Sequence, residues 1–223
     1  MKDQDNTKVG RRTLLTNLGV TAVAGLTAGA VAGSAQAAEQ PSAGFQPARH
    51  EKDAWLGELP GSHRVFVDSS TLDGGANALR FASNIIKSHV DEYAGKASDY
   101  ALVVCFRHGS VSYGFSDAIW AKYGTVLGRD MKTPSTSNPM NTASAANGQN
   151  SIPFMVENGI QFAICNRSTH GLAGRIAEAT GIKADDAYAE LVAGAIPNSH
   201  FVAAGVLAVT RAQEYHYSLL YSE

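Results

Sequence analysis

The chain has 223 residues, of which 44% are hydrophobic and 17% charged. That is apolar enough for a true core and too poor in charge for a disordered or coiled-coil chain. A formal net charge of −2, with no Lys/Arg cluster past residue 12, excludes nucleic-acid binding. At about 100–200 residues per domain, the length predicts one globular body with an appendage.

The appendage comes first. Lys2, Lys8, Arg11 and Arg12 precede an uncharged run from Thr13 to Ala38, the order of an export signal's basic and apolar regions. The run is diluted by Gly19, Gly25, Gly29 and Gly33, which makes it a poor permanent anchor. Ala35-Gln36-Ala37 supplies the small-x-small pattern of a cleavage site, so residues 1–37 are expected to be removed. The adjacent Arg11-Arg12 pair resembles the twin-arginine (Tat) signal read by the Tat translocase. The expected location is therefore the periplasm or the outside, or the membrane surface if the signal stays uncleaved. Taking four basic residues from 18 and two acidic residues from 20 leaves a mature chain at formal −4.

Residues 38–62 hold Pro41, Pro47 and Pro60 without periodicity and read as an extended leader over the surface. From His63 onward, strands and helices are expected to alternate. Arg64 to Asp68 is a short β-branched and aromatic strand. Ala78, Phe81, Ala82, Ile85, Ile86 and His89 form one stripe of a helix over 74–93, with His89 read as a core residue. Tyr100 to Phe106 is apolar throughout, as in a central strand covered on both faces. Ser116 caps a helix carrying Ile119, Trp120 and Tyr123. Residues 132–151 then form a loop near twenty residues long, a lid or a disordered segment.

A helix at 154–158, a strand at 160–165, and helices at 169–180 and 185–193 come next. A strand at 201–204, a helix at 206–213 and a strand at 215–220 close the chain. Such alternation predicts a three-layer α/β/α sandwich around a mainly parallel sheet of about five strands, here over residues 63–223.

In such a sheet ligands bind beyond the strands' carboxyl ends, which selects Asp68, Ser69 and Ser70, then Arg107 and His108, then Cys165, Asn166 and Arg167, then Ala204-Gly205. Cys165 stands before a helix with Arg167 two residues on, and a helix N-terminus with nearby cations favours a thiolate. It reads equally as a nucleophile or as a strand-end packing residue. Arg107 and His108 can bind an anion or donate a proton, or simply bond loop carbonyls. His170 and His200 could join Cys165 and His108 around a metal, but no short ligand spacing supports this, and none is expected. No phosphate-binding loop is present and Gly114-Phe-Ser-Asp-Ala118 falls short of a nucleophile elbow, so no cofactor is expected.

The two cysteines, Cys105 and Cys165, invite a disulfide in an oxidising compartment. We expect none: a register offset separates them, and Cys105 is the inert, buried member of the pair.

Gly159-Ile-Gln-Phe-Ala-Ile-Cys165, then Val202-Ala-Ala-Gly205-Val-Leu-Ala-Val-Thr-Arg-Ala-Gln213 and Tyr215 to Tyr221, resemble the DsrE/DsrF-like family. The resemblance spans the chain from about His63 and is most specific over the last third. It implies a small α/β/α protein that assembles as a homo-oligomer. It also implies sulfur carriage as a persulfide on Cys165, supplied by a small sulfur compound or a donor protein. The alternative is a non-catalytic oligomeric module that binds a small anion or a metal through Arg107 and His108.

Overall fold

The computed structural model describes residues 46–133, 135–145, 147–148 and 150–223. The export signal expected at 1–37 and the first part of the leader lie outside these residues. Among the described residues no helix is long and apolar enough to cross a membrane.

Five strands form one sheet: β1 (His63–Ser69), β2 (Tyr100–Phe106), β3 (Gln161–Cys165), β4 (Ser199–Val202) and β5 (Ser218–Ser222). They run in the order β4-β3-β2-β1-β5, and every neighbouring pair is parallel. The expected three-layer α/β/α architecture is therefore present, with a fully parallel sheet.

The order follows from handedness. The chain steps in one direction from β1 to β4, and right-handed crossovers place all the intervening helices on one face. Those helices are α2 (Leu72–Tyr93), α3 (Asp117–Leu127), α4 (Ile152–Glu157), α5 (Asn166–Thr180) and α6 (Ala184–Ala193). They pack on Leu102, Val104, Phe106, Phe162 and Ile164. The last connection reverses direction, from β4 back past β1 to β5, so α7 (Gly205–Glu214) lies on the opposite face. There Ala208 and Ala212 meet Phe66, Val103, Cys105 and Ala163. β2 is buried along nearly its whole length, as its unbroken apolar run predicts.

The leader is more than a surface strap. A 3-10 turn at Glu51–Asp53 and the short helix α1 (Trp55–Glu58) dock on the α7 face, and Leu56 is fully buried. Arg64 Nη1 donates to Leu56 O at 2.6 Å and Tyr217 Oη to the same oxygen at 2.8 Å. Burying one such leucine contributes about 2 kcal/mol toward holding this segment against the sheet.

The segment 132–151 departs further from expectation. Met140 is buried, and asparagine side chains anchor the chain around it. Asn138 Nδ2 donates to Tyr113 O and Phe115 O, each at 2.8 Å, and Asn147 Nδ2 donates to Thr142 O at 2.9 Å. Its described residues are a plug fixed by polar side chains, which carry no hydrophobic period for a sequence reading to find.

Three smaller differences concern single residues. Ser116 is the N-cap of α3, but its side chain makes no capping hydrogen bond. His89 sits at the margin of the core, where its Nε2 lies 3.0 Å from Asp99 Oδ2, and Phe81 faces outward. The last strand begins at Ser218 rather than Tyr215, because Tyr215 N–H closes α7 on Arg211 O and Ala212 O and His216 turns through φ 66.

Candidate functional site

α5 leaves β3 toward one face of the sheet and α7 leaves β4 toward the other. Where adjacent strands send their connections apart, a crevice opens at their carboxyl ends. Cys165 ends β3 and Gly205 begins α7, so both stand at this opening. A cavity of about 440 Å³ occupies it, lined by Cys165, Arg167 and Ser168, by Arg107 and His108 after β2, and by Ala204-Gly205 after β4. Arg129, Asp130 and Arg175 close another side.

Cys165 is the N-cap residue of α5 and only 5% exposed, its remaining surface opening on the cavity. Its sulfur is held from one side. Ser168 Oγ donates to Sγ at 3.2 Å and itself accepts from His108 N–H at 2.9 Å.

The first turns of α5 and α7 both border the cavity, and neither N-cap residue, Cys165 or Ala204, caps its helix with a side chain. Backbone N–H groups at a helix start lack intrahelical partners, and two such ends at one hollow suit an anion. Gly205 makes the approach feasible: a Cβ there would stand 2.7 Å from Arg107 Cδ. Only glycine lets α7 start so close to the end of β2.

The charge balance points the same way. Arg107 is already neutralised: its Nε and Nη2 donate to the buried Asp68 carboxylate at 2.8–3.1 Å. That bond keeps its guanidinium charge firmly in place, pushing its pKa up. Its remaining Nη1 lies 2.7 Å from His108 Nδ1. A guanidinium can only donate, so Nδ1 accepts and the ring proton resides on Nε2. His108 itself adopts φ 49, a conformation a non-glycine residue keeps only where its surroundings hold it. Arg107 thus positions His108.

The free charge lies elsewhere. Arg129, Arg167 and Arg175 face Asp130 as the only carboxylate in the lining, and Asp130 pairs with Arg129 at 3.2 Å. Desolvation, and then the neighbouring Arg129, push the pKa of Arg175 down, as for a cation short of a counter-charge. Its Nε is buried without a partner among the described residues.

Of the residues expected from sequence, the structure brings Cys165, Arg107, His108 and Arg167 to one cavity. It does not bring Asn166, whose Oδ1 accepts from Tyr188 Oη at 2.7 Å between α5 and α6. His170 stacks on Tyr188 at 4.0 Å and His200 on Trp55 at 3.9 Å, both engaged away from Cys165. No group of three His, Cys, Asp or Glu placed for a metal occurs among the described residues. Sequence reading gave Asp68 and Ser168 no role, and it missed Arg129 and Arg175. The signal for Arg175 was available: Arg167, Gly171 and Arg175 recur every four residues on one face of α5 and all line the cavity.

The two thiols are free. β2 and β3 are neighbours, and Cys105 pairs in register with Ala163, two residues before Cys165. Both cysteines therefore point to the same face, contrary to the opposite-face offset considered from sequence. Two residues along and one strand across separate their Cα atoms by roughly 8 Å, beyond the reach of a disulfide in this backbone. Cys105 is fully buried, and burial together with neighbouring Asp68 pushes its pKa well up.

A hollow of about 490 Å³ opens between His63, His89, Tyr93 and Tyr100, where β1 and β2 begin. It carries neither cysteine nor arginine. No protein-family model matches the chain, and no curated protein matches it.

Proposed function

We propose that this chain is an exported sulfur-handling protein in which Cys165 receives sulfur from an anionic donor and carries it as a persulfide. This reading rests on a cysteine sulfur facing a cavity with two uncapped helix starts and four arginines, of which Asp68 neutralises Arg107. The cations and backbone N–H groups bind the donor's negative end and orient its outer sulfur. His108 Nε2–H and Ser168 Oγ–H are donors for charge on the leaving group and on Cys165. With thiosulfate as donor, Cys165–S⁻ attacks the outer sulfur, the S–S bond breaks, and sulfite leaves with the electron pair. The product is Cys165–S–S⁻, with charge and atoms conserved.

The resemblance to the DsrE/DsrF-like family agrees with this reading, as does the glycine-strand-cysteine segment on which it rests. A burst of sulfite equal to the protein concentration, abolished in Cys165→Ser, is the expected result with thiosulfate. No sulfite from wild type with thiosulfate, and no sulfur gained from an organic persulfide, would contradict sulfur transfer.

The second reading is a non-catalytic anion-binding module, favoured by the low exposure of Cys165 and the uncompensated charge on Arg175. It predicts sulfate binding with no sulfur on either cysteine. The first reading includes export, tested by Arg11→Lys with Arg12→Lys, which is expected to trap the precursor in the cytoplasm. It also includes a homo-oligomer, supported by exposed Leu219, Leu220 and Tyr221 on edge strand β5 and tested by light scattering.

A further inference from the structure

Building on the reading of Cys165 as the sulfur acceptor, we infer that the donor is a low-molecular-weight organic persulfide with a zwitterionic body, held across two adjoining hollows. Thiosulfate has five heavy atoms and needs roughly the room of three or four waters at about 30 Å³ each. The cavity at Cys165 offers about 440 Å³. A second hollow of about 630 Å³ lies along the same strand-end rim, between the start of α2 and the chain after α3.

Gly109 and Asp130 border both hollows. A narrow space of about 20 Å³ touches His108 and Arg175 of the first and Leu72 of the second.

The second hollow has a different character. Leu72, Tyr113, Met131 and Met140 give it apolar walls, which an inorganic anion does not use. Asp73 and Lys132 also line it, and among the described residues neither forms an ion pair. Burial and the nearby Asp73 push the pKa of Tyr113 up, keeping its hydroxyl a donor. An ammonium suits Asp73, a carboxylate suits Lys132, and an aliphatic stem suits the walls between them. That is the chemistry of an amino-acid or small-peptide thiol, with its sulfur end reaching toward Cys165.

The step stays balanced. Cys165–S⁻ attacks the outer sulfur of R–S–S⁻, the donor S–S bond breaks, RS⁻ leaves with the electron pair, and Cys165–S–S⁻ forms. No oxidant is needed.

The test separates ligand class from sulfur transfer. Glutathione sulfonate, an unreactive anionic analogue, and sulfate are titrated into Cys165→Ser protein carrying Lys132→Glu, Asp73→Lys or Asp73→Asn, with folding checked by circular dichroism. Glutathione sulfonate is expected to bind about tenfold more weakly in every one of these variants. Sulfate is expected to follow net charge alone, weakening with Lys132→Glu and tightening with Asp73→Lys. Glutathione sulfonate following the sulfate pattern, or binding no tighter than sulfate, would overturn the inference. Glutathione persulfide that binds through these residues but leaves no sulfur on Cys165 would instead overturn the acceptor reading and leave the ligand class standing.

Discussion

Cys105 and Cys165 share a residue type, a sheet and a sheet face, and they stand two register positions apart. One is sealed between β1, β3 and the small residues of α7. The other is the last residue of β3, where helices diverge and a cavity begins. Two residues of register separate a sealed sulfur from one that borders a cavity. A thiol's access here is set by topology, through the strand pair at which the crossover direction reverses.

The sharpest way to break that contrast is native-state alkylation. Cys165 is expected to react through the cavity, while Cys105 reacts only when the fold opens. With opening free energies of several kcal/mol, Cys165 should be faster by roughly a thousandfold or more. Unreduced, denatured protein should give two free thiols, and equal native rates would erase the distinction.

Next in size is the pair that closes the end of β2. Removing Asp68 in Asp68→Ala leaves Arg107 half-buried without its carboxylate, at a cost of about 2 kcal/mol in urea unfolding. It also frees His108, so sulfate affinity and stability should both change. Arg175→Met should separate the two. It removes a desolvated, uncompensated cation, so stability should hold or rise slightly while sulfate binding weakens about tenfold.

The smallest effect lies at His200, on the same sheet face but remote from chemistry. Burial pushes its pKa below the ordinary 6.5. As pH falls through about 6.5 the unfolded chain takes up this proton first, so stability falls from there until the folded pKa is passed. Urea midpoints at about pH 7.5 and about pH 5.5 should differ less in His200→Gln, by well under about 1 kcal/mol. An unchanged pH dependence would remove His200 from the account.

How much was legible in the sequence follows the same divide. β2 announces itself because a central parallel strand is apolar on both faces, and its bounds match residue for residue, while β1 shows through its β-branched and aromatic residues. β5 starts later than its residue types suggest, because Tyr215 and Tyr217 look like strand residues. One instead ends α7, and the other reaches back to Leu56 O. The segment around Asn138 and Asn147 gave no signal, since its order comes from side-chain amides bonding distant carbonyls. Cys165, Arg107, His108 and Arg167 are found by looking at the residues where each strand ends. Strand ends cannot reveal Arg129 or Arg175, which reach the cavity from the end of α3 and the third turn of α5. Nor can they show that Asp68 neutralises Arg107, which only the β1–β2 register reveals.

The most direct measurement is the mass of each cysteine peptide after the native mature protein meets glutathione persulfide or thiosulfate and is then alkylated. One added sulfur is expected on the Cys165 peptide, lost on reduction, with an unmodified Cys105 peptide from the same digest. Sulfur on neither peptide, or on both alike, would contradict it.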